Sequence, residues 1–342
     1  MRLKCRSRAR RRGSRLLALI AIGIGIGIAL VPATVRAQTN SGALDLLLPI
    51  GARATAMGAA SVAEQGSEAI WWNPAGLARL TKPAFALDHF ENIFVTSGDA
   101  ISLILPAGAV GVFGIAARLF NYDTLSTTSQ TGEDIGITSP RSIAVGASFA
   151  ASFGQRFSAG FSFRVYQLNV ACSGVCADVF PTSPYTGYLD AGIQFRPSAA
   201  GPLQIGVLLR NVGPNLQVND QPQADALPAR LHVGMSYQPT SPSWDPALRV
   251  TGTAEFVSSP ALSSKELHFG GELAYTSGST LLLVRGGYVM QGATGGGERG
   301  TGPSIGVGLA SGRVQVDLAR IFETFSTTLG KPPTYISIRV GL

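Results

Sequence analysis

From residue 84 to residue 342, apolar and polar positions alternate with a period of two, in segments of about ten residues. In one segment Phe157, Ala159, Phe161, Phe163 and Val165 share a face, and Ser158, Gly160, Ser162, Arg164 and Tyr166 share the other. In the segment before it, Ile143, Val145, Ala147 and Phe149 stand against Ala144, Gly146 and Ser148. In the last, Ile336, Ile338, Val340 and Leu342 stand against Tyr335, Ser337, Arg339 and Gly341. Alternation alone predicts strands. The second face, small, polar or charged, predicts that one side of the sheet meets lipid and the other a wet lumen. About ten residues is also the length of a tilted strand crossing a bilayer.

About fourteen such strands are predicted, starting near residues 84, 98, 109, 141, 156, 185, 202, 228, 247, 266, 279, 302, 313 and 334. Long connections near 122–140, 170–184, 212–227, 291–303 and 322–333 alternate with short ones at 106–108, 154–155, 276–279 and 311–313. Outer-membrane barrels have this asymmetry, with long extracellular loops and short periplasmic turns. Only the 239–246 connection is longer than the rule expects. Tyr122, Tyr166, Phe195, Tyr237, Phe256, Tyr275, Tyr288 and Phe322 fall near strand ends, where interfacial girdles belong. A soluble sandwich would account for the strands, but for neither the loop alternation nor the low charge. The fold expected is all-β, a transmembrane antiparallel β-barrel of about 14 strands occupying residues 84–342.

Residues 51–80 interrupt this pattern. They are rich in Ala and Gly, lack alternation, and end in Trp71, Trp72, Asn73, Pro74, Ala75, Gly76 and Leu77. Asn73 is suited to cap a helical turn, and Pro74 suits its first position, where the missing N–H is no loss. A short, partly helical segment is therefore expected across residues 38–83, ahead of the strands. Residues 1–37 read as an export signal: a basic stretch, an apolar run over 16–31 too short to span a bilayer, and a small-residue cleavage pattern at Val35-Arg36-Ala37.

Composition changes meaning once that signal is set aside. The formal net charge of the whole chain is +7, but residues 1–37 hold nine of the 27 basic residues and no acid. The remainder carries eighteen basic against 20 acidic residues, so nothing favours nucleic-acid binding. Charged residues make up 14% of the chain, against about 25% in soluble domains. Cys172 and Cys176, the pair left after the signal, are expected to form a disulfide stapling a loop.

Three later blocks join the early motif. Gly51-Ala52-Arg53-Ala54-Thr55-Ala56-Met57-Gly58 with Trp72-Asn73-Pro74-Ala75-Gly76-Leu77 resembles the N-terminal signature of FadL-like outer-membrane proteins, especially the PorV/PorQ branch. Leu209-Arg210-Asn211-Val212-Gly213-Pro214, Ala226-Leu227-Pro228-Ala229-Arg230-Leu231 and Arg285-Gly286-Gly287-Tyr288 resemble the same branch. The resemblance implies a fourteen-stranded barrel in the bacterial outer membrane, with the N-terminal segment folded into the lumen as a hatch. It implies one of two functions. PorV-type members serve type IX protein secretion and surface attachment, with secreted proteins or secretion-machine subunits as partners. FadL-type members take up hydrophobic compounds such as long-chain fatty acids. The short chain favours the first. The chain departs from many outer-membrane proteins in ending on Leu342 rather than an aromatic residue.

The strand phase assigns Arg118, Arg164, Asp190, Arg196, Arg210, Arg230, Glu255, Glu272, Asp317 and Arg339 to the lumen, as a solvated or ion-paired network. Trp71 and Trp72 are expected either to fill lumen volume or to anchor the segment at the rim. His89, His232 and His268 are the only histidines, and none sits in a Ser or Cys constellation, so no enzyme is expected. No metal-ligand spacing appears, no cofactor is expected, and outer-membrane lipid is the surrounding partner.

Overall fold

The computed structural model describes residues 41–91, 96–129, 131–174, 183–217, 224–239, 245–291, 302–322 and 332–342. The expected signal segment lies outside these residues.

Fifteen strands form one antiparallel sheet: β1 (Ala84–Glu91), β2 (Ser97–Pro106), β3 (Val112–Asn121), β4 (Leu125–Thr128), β5 (Asp134–Phe153), β6 (Phe157–Gly174), β7 (Tyr185–Phe195), β8 (Leu203–Val212), β9 (Arg230–Tyr237), β10 (Leu248–Ser259), β11 (Ser264–Ser277), β12 (Thr280–Gln291), β13 (Gly302–Ser311), β14 (Val314–Ile321) and β15 (Thr334–Gly341). Each pairs with its neighbour in sequence, with one exception. β3 pairs with β5 from Val112↔Ala150 to Asn121↔Arg141, so β4 lies outside the ring. β1 pairs with β15, from Ala84↔Gly341 to Glu91↔Thr334, and closes a barrel of fourteen strands. Closure removes the sheet edges that hydrocarbon cannot satisfy.

The two faces divide as the alternation requires. Phe161, Phe163 and Val165 of β6 are exposed on the outside, while Ser162, Arg164 and Tyr166 are buried inside. The outer face is apolar all round, from Leu87 and Ile101 through Val233, Leu273 and Val307 to Ile338. Such a surface is stable only against lipid, so this is a transmembrane barrel. No helix among the described residues is long and apolar enough to cross a membrane; the strands do so.

Two expectations need correction. The 122–140 connection is not all loop: β4 pairs with the extension of β5, from Leu125↔Thr138 to Thr128↔Asp134. β4 itself is only four residues, Leu125 to Thr128, too short and too rich in Ser and Thr to show an apolar period. Tyr166 is no girdle residue. It is wholly buried inside, donating a 2.9 Å hydrogen bond to Asp45. Cys172 is disulfide-bonded; Cys176, its expected partner, lies outside the described residues.

The N-terminal segment is the core of the molecule. It has a 3-10 turn at Leu44–Leu47, a one-turn α-helix α1 (Ala52–Ala56), and 3-10 turns at Ser67–Ile70 and Pro74–Leu77. α1 packs against β12, β13, β14 and β15, whereas the Pro74–Leu77 turn packs against β5, β6 and β7. The segment therefore spans the ring between opposite walls and plugs the lumen.

Candidate functional site

The Pro74–Leu77 turn starts as its residues dictate. Asn73 Oδ1 accepts a hydrogen bond from the Ala75 N–H at 3.1 Å, and Pro74 takes the first position. Asn73 Nδ2 donates to the Val62 carbonyl at 2.7 Å, so one buried side chain ties two stretches of the plug together. The wall makes room for this turn: a Cβ at Gly160 would lie 2.6 Å from Ala75 N and from Pro74 C. Trp71 and Trp72 are both buried, and Trp72 Nε1 donates to the Ile50 carbonyl at 3.0 Å. The indoles occupy lumen volume rather than the rim.

Ion pairs fasten the plug to the wall. Arg53 reaches Glu272 of β11 at 2.9 Å and Glu64 of the plug at 2.6 Å. Burial alone would lower the Arg53 pKa, but Glu64 and Glu272 outweigh it and raise it, so the guanidinium stays charged. Glu272 also accepts from Arg285 at 2.6 Å, Arg285 reaches Asp317 at 2.6 Å, and Asp317 lies 3.0 Å from Arg339. Arg339 closes the chain on Glu68 of the plug.

Nearer the long loops, Asp45 meets Arg118 at 2.8 Å and Ser142 at 2.6 Å. Arg164 pairs with Asp190 and donates to the Ile70 carbonyl. Glu255 accepts from the Val62 N–H at 2.8 Å and contacts His232 Nδ1 at 2.6 Å. His268 Nδ1 donates to the Gly58 carbonyl at 2.7 Å, and its Nε2 lies 3.0 Å from Glu266. Glu266 in turn lies 3.3 Å from Arg230. His232 and His268 are thus both bonded into the plug–wall seam. Arg196 donates to Gln204 and to Gln65 of the plug, and Arg210 sits 5.3 Å from the Trp72 ring centroid.

The structure pairs some of these ten wall residues with each other or with wall neighbours, as Arg164 with Asp190 and Arg230 with Glu266, and others with plug residues that strand phase could not reveal. Asp45, Arg53, Glu64 and Glu68 lie in the plug, which has no period to read. Asp88 and Arg285 are also buried inside, and their place opposite Leu87 and Val284 on alternating strands would have found them. His89 faces outward, 2.8 Å from Asp99. Among the described residues, no group of three or more His, Cys, Asp or Glu side chains is placed to hold a metal ion.

One side of the lumen is different in kind. Where β15, β1, β2 and β3 face inward, Phe90, Ala100, Ile104, Val112, Ala116, Phe120 and Tyr335 form one buried apolar cluster with Ile50, Trp71, Trp72 and Leu77 of the plug. The Phe90 ring stacks on Tyr335 at 5.6 Å and on Phe120 at 6.0 Å, and Phe120 meets Tyr122 edge-on at 4.6 Å. Gly98 lets Phe90 lie flat on the wall; a Cβ there would come within 2.1 Å of the ring. The inner wall is thus charged and ion-paired along β6–β14, and on β15, β1, β2 and β3 an apolar, aromatic lane lies beside the inward Arg339, Asp88 and Arg118.

No protein-family model matches the sequence, and no curated protein does. Solved structures do match. The toluene transporter TbuX of Ralstonia pickettii superposes with a TM-score of 0.55 at 14% identity, over 85% of this chain and 98% of that one. The Pseudomonas putida toluene transporter TodX gives 0.53 at 12% identity, over 85% and 98%. A Pseudomonas aeruginosa FadL homologue gives 0.52 at 10% identity, over 85% and 98%. At such identities the likeness is one of fold. With a closed ring of fourteen strands, an apolar exterior and this likeness, the chain has the FadL-like β-barrel fold of the bacterial outer membrane.

Proposed function

We propose that this protein is a passive, non-enzymatic channel for hydrophobic compounds, with residues 38–83 as the plug that gates residues 84–342. The apolar lane carries this reading. A lumen that only held water would have no use for a continuous cluster of Phe90, Phe120, Tyr335, Ile104 and Val112 beside its charged seam. Buried aromatic rings present large apolar contact area and stacking faces, which suits neutral or amphipathic hydrocarbons. The structural neighbours support the same reading: TbuX and TodX are toluene transporters, and TodX is a monoaromatic hydrocarbon channel. The secretion or surface-attachment role expected from the PorV/PorQ resemblance gains no supporting observation, and the ten lumen residues are assigned here to holding the plug.

Equilibrium binding of radiolabelled toluene and of a labelled long-chain fatty acid to the purified barrel tests the proposal. Phe90→Ala with Phe120→Ala should weaken binding of at least one ligand. No binding of either, together with co-purification of identified secretion-machine subunits, would favour the secretion role.

A further inference from the structure

A cavity of about 760 Å³ opens at the short-turn end of the barrel, between the plug and the ends of β7–β15. Short turns face the periplasm in outer-membrane barrels. The arginines lining this cavity fall into two groups. The deeper ones, Arg53, Arg285 and Arg339, each have carboxylate partners. At the lip, Arg196, Arg249 and Arg313 line the same cavity, and among the described residues none of them has a carboxylate in ion-pair range. Arg196 is held only by the amide oxygens of Gln204 and Gln65, and Arg249 and Arg313 are exposed.

The two ends of the molecule also differ in sign. In sequence, the short connections carry Arg156, Arg196 and Arg313 against the single acid Asp245. The long connections at 122–133, 175–184, 213–229, 292–301 and 322–333 carry seven acids against Arg299 and Lys331. A concave mouth lined by uncompensated cations focuses positive potential.

We propose that the periplasmic mouth is a docking site for an acidic soluble protein, a carboxylate-rich segment of which enters the cavity and pairs with Arg196, Arg249 and Arg313. These cations come from the β7–β8 connection, β10 and the β13–β14 turn. With strands about 4.8 Å apart, successive members are separated by about 15 Å along the wall. One small anion cannot bridge that distance, whereas a segment with several carboxylates can. Lipid phosphate is the wrong partner for these three because they line the cavity inside the wall. Arg156, packed 5.3 Å from the outward Phe195 ring centroid, is placed for lipid instead. Guanidinium forks recognise carboxylates in well-defined geometry, and charge at an interface rim sets on-rate and salt dependence. The proposal goes beyond the channel reading and stands without it.

The test uses the full-length barrel in phosphatidylcholine nanodiscs, with a fluorescent poly-glutamate peptide as probe and poly-glutamine as control. Poly-glutamate should bind in low salt and be released as salt rises, and poly-glutamine should not bind. Arg249→Gln with Arg313→Gln should raise Kd about fivefold or more. Arg141→Gln with Arg320→Gln, at the opposite end, should leave it unchanged. Heat-modifiable electrophoretic mobility reports that each variant is a folded barrel. No binding, equal binding by the mouth variant, or loss of binding when phosphatidylglycerol is added to the disc would overturn the proposal.

Discussion

Arg53→Met should unlatch the plug. Arg53 holds Glu272 at 2.9 Å and Glu64 at 2.6 Å, with side chains only 17%, 7% and 12% exposed. After the substitution Glu272 keeps Arg285, but Glu64 loses its only ion pair among the described residues. Removing one partner of a buried pair costs about 3–5 kcal/mol, because the other charge stays behind desolvated. The ring of strands is untouched, so the cost falls on the seated plug rather than on the barrel. It should raise the population of unseated plug by about two to four orders of magnitude. Planar-bilayer conductance reads this directly, as more frequent and longer openings to small ions. Adding Glu64→Gln should restore part of the closure, since it removes the stranded charge. Unchanged conductance from a variant that still shows the electrophoretic shift of a folded barrel would refute the idea that this pair seats the plug.

Three other outcomes follow from the same geometry. Phe161→Arg places a cation on the lipid face and should destabilise the barrel by about 2–4 kcal/mol in a bilayer unfolding titration; a change near zero would mean that Phe161 does not face mid-bilayer. Asn73→Ala removes the cap on Ala75 and the bond to Val62, and should raise protease cleavage within residues 60–80 through a loss of about 1–2 kcal/mol locally. Gly160→Val drives a side chain into the backbone of Pro74 and Ala75, so it should unseat the plug from the opposite wall and give conductance like Arg53→Met.

The wall was legible in the sequence because lipid enforces it residue by residue. β6 reads out strictly, Phe161 out and Ser162 in, since a one-residue slip would turn Arg164 to hydrocarbon. Strand starts at 84, 185, 302 and 334 match those of β1, β7, β13 and β15. What could not be read is whatever meets across the lumen. Tyr166 has the phase of an inward residue and the position of a girdle residue; phase decides its side, and its bond to Asp45 was beyond the reach of the sequence. Asp45, Arg53 and Glu68 sit far in sequence from Arg118, Glu272 and Arg339, and the plug has no period to show which way they point. The Asn73–Pro74 turn was legible because capping is local. The apolar lane was visible only as scattered inward Phe and Ile residues until closure of β1 on β15 brought Phe90 beside Tyr335.

The channel account is tested most directly by the initial rate at which intact cells take up a labelled hydrophobic compound, toluene or a long-chain fatty acid, when the native gene is replaced by Gly98→Leu. A Leu at that position cannot coexist with Phe90 lying flat, so the aromatic stack must shift while the charged seam stays in place. The account predicts uptake close to that of the deletion strain, with the barrel present at wild-type abundance in the outer membrane. Wild-type uptake from such cells, or uptake that deletion itself leaves unchanged, would contradict it.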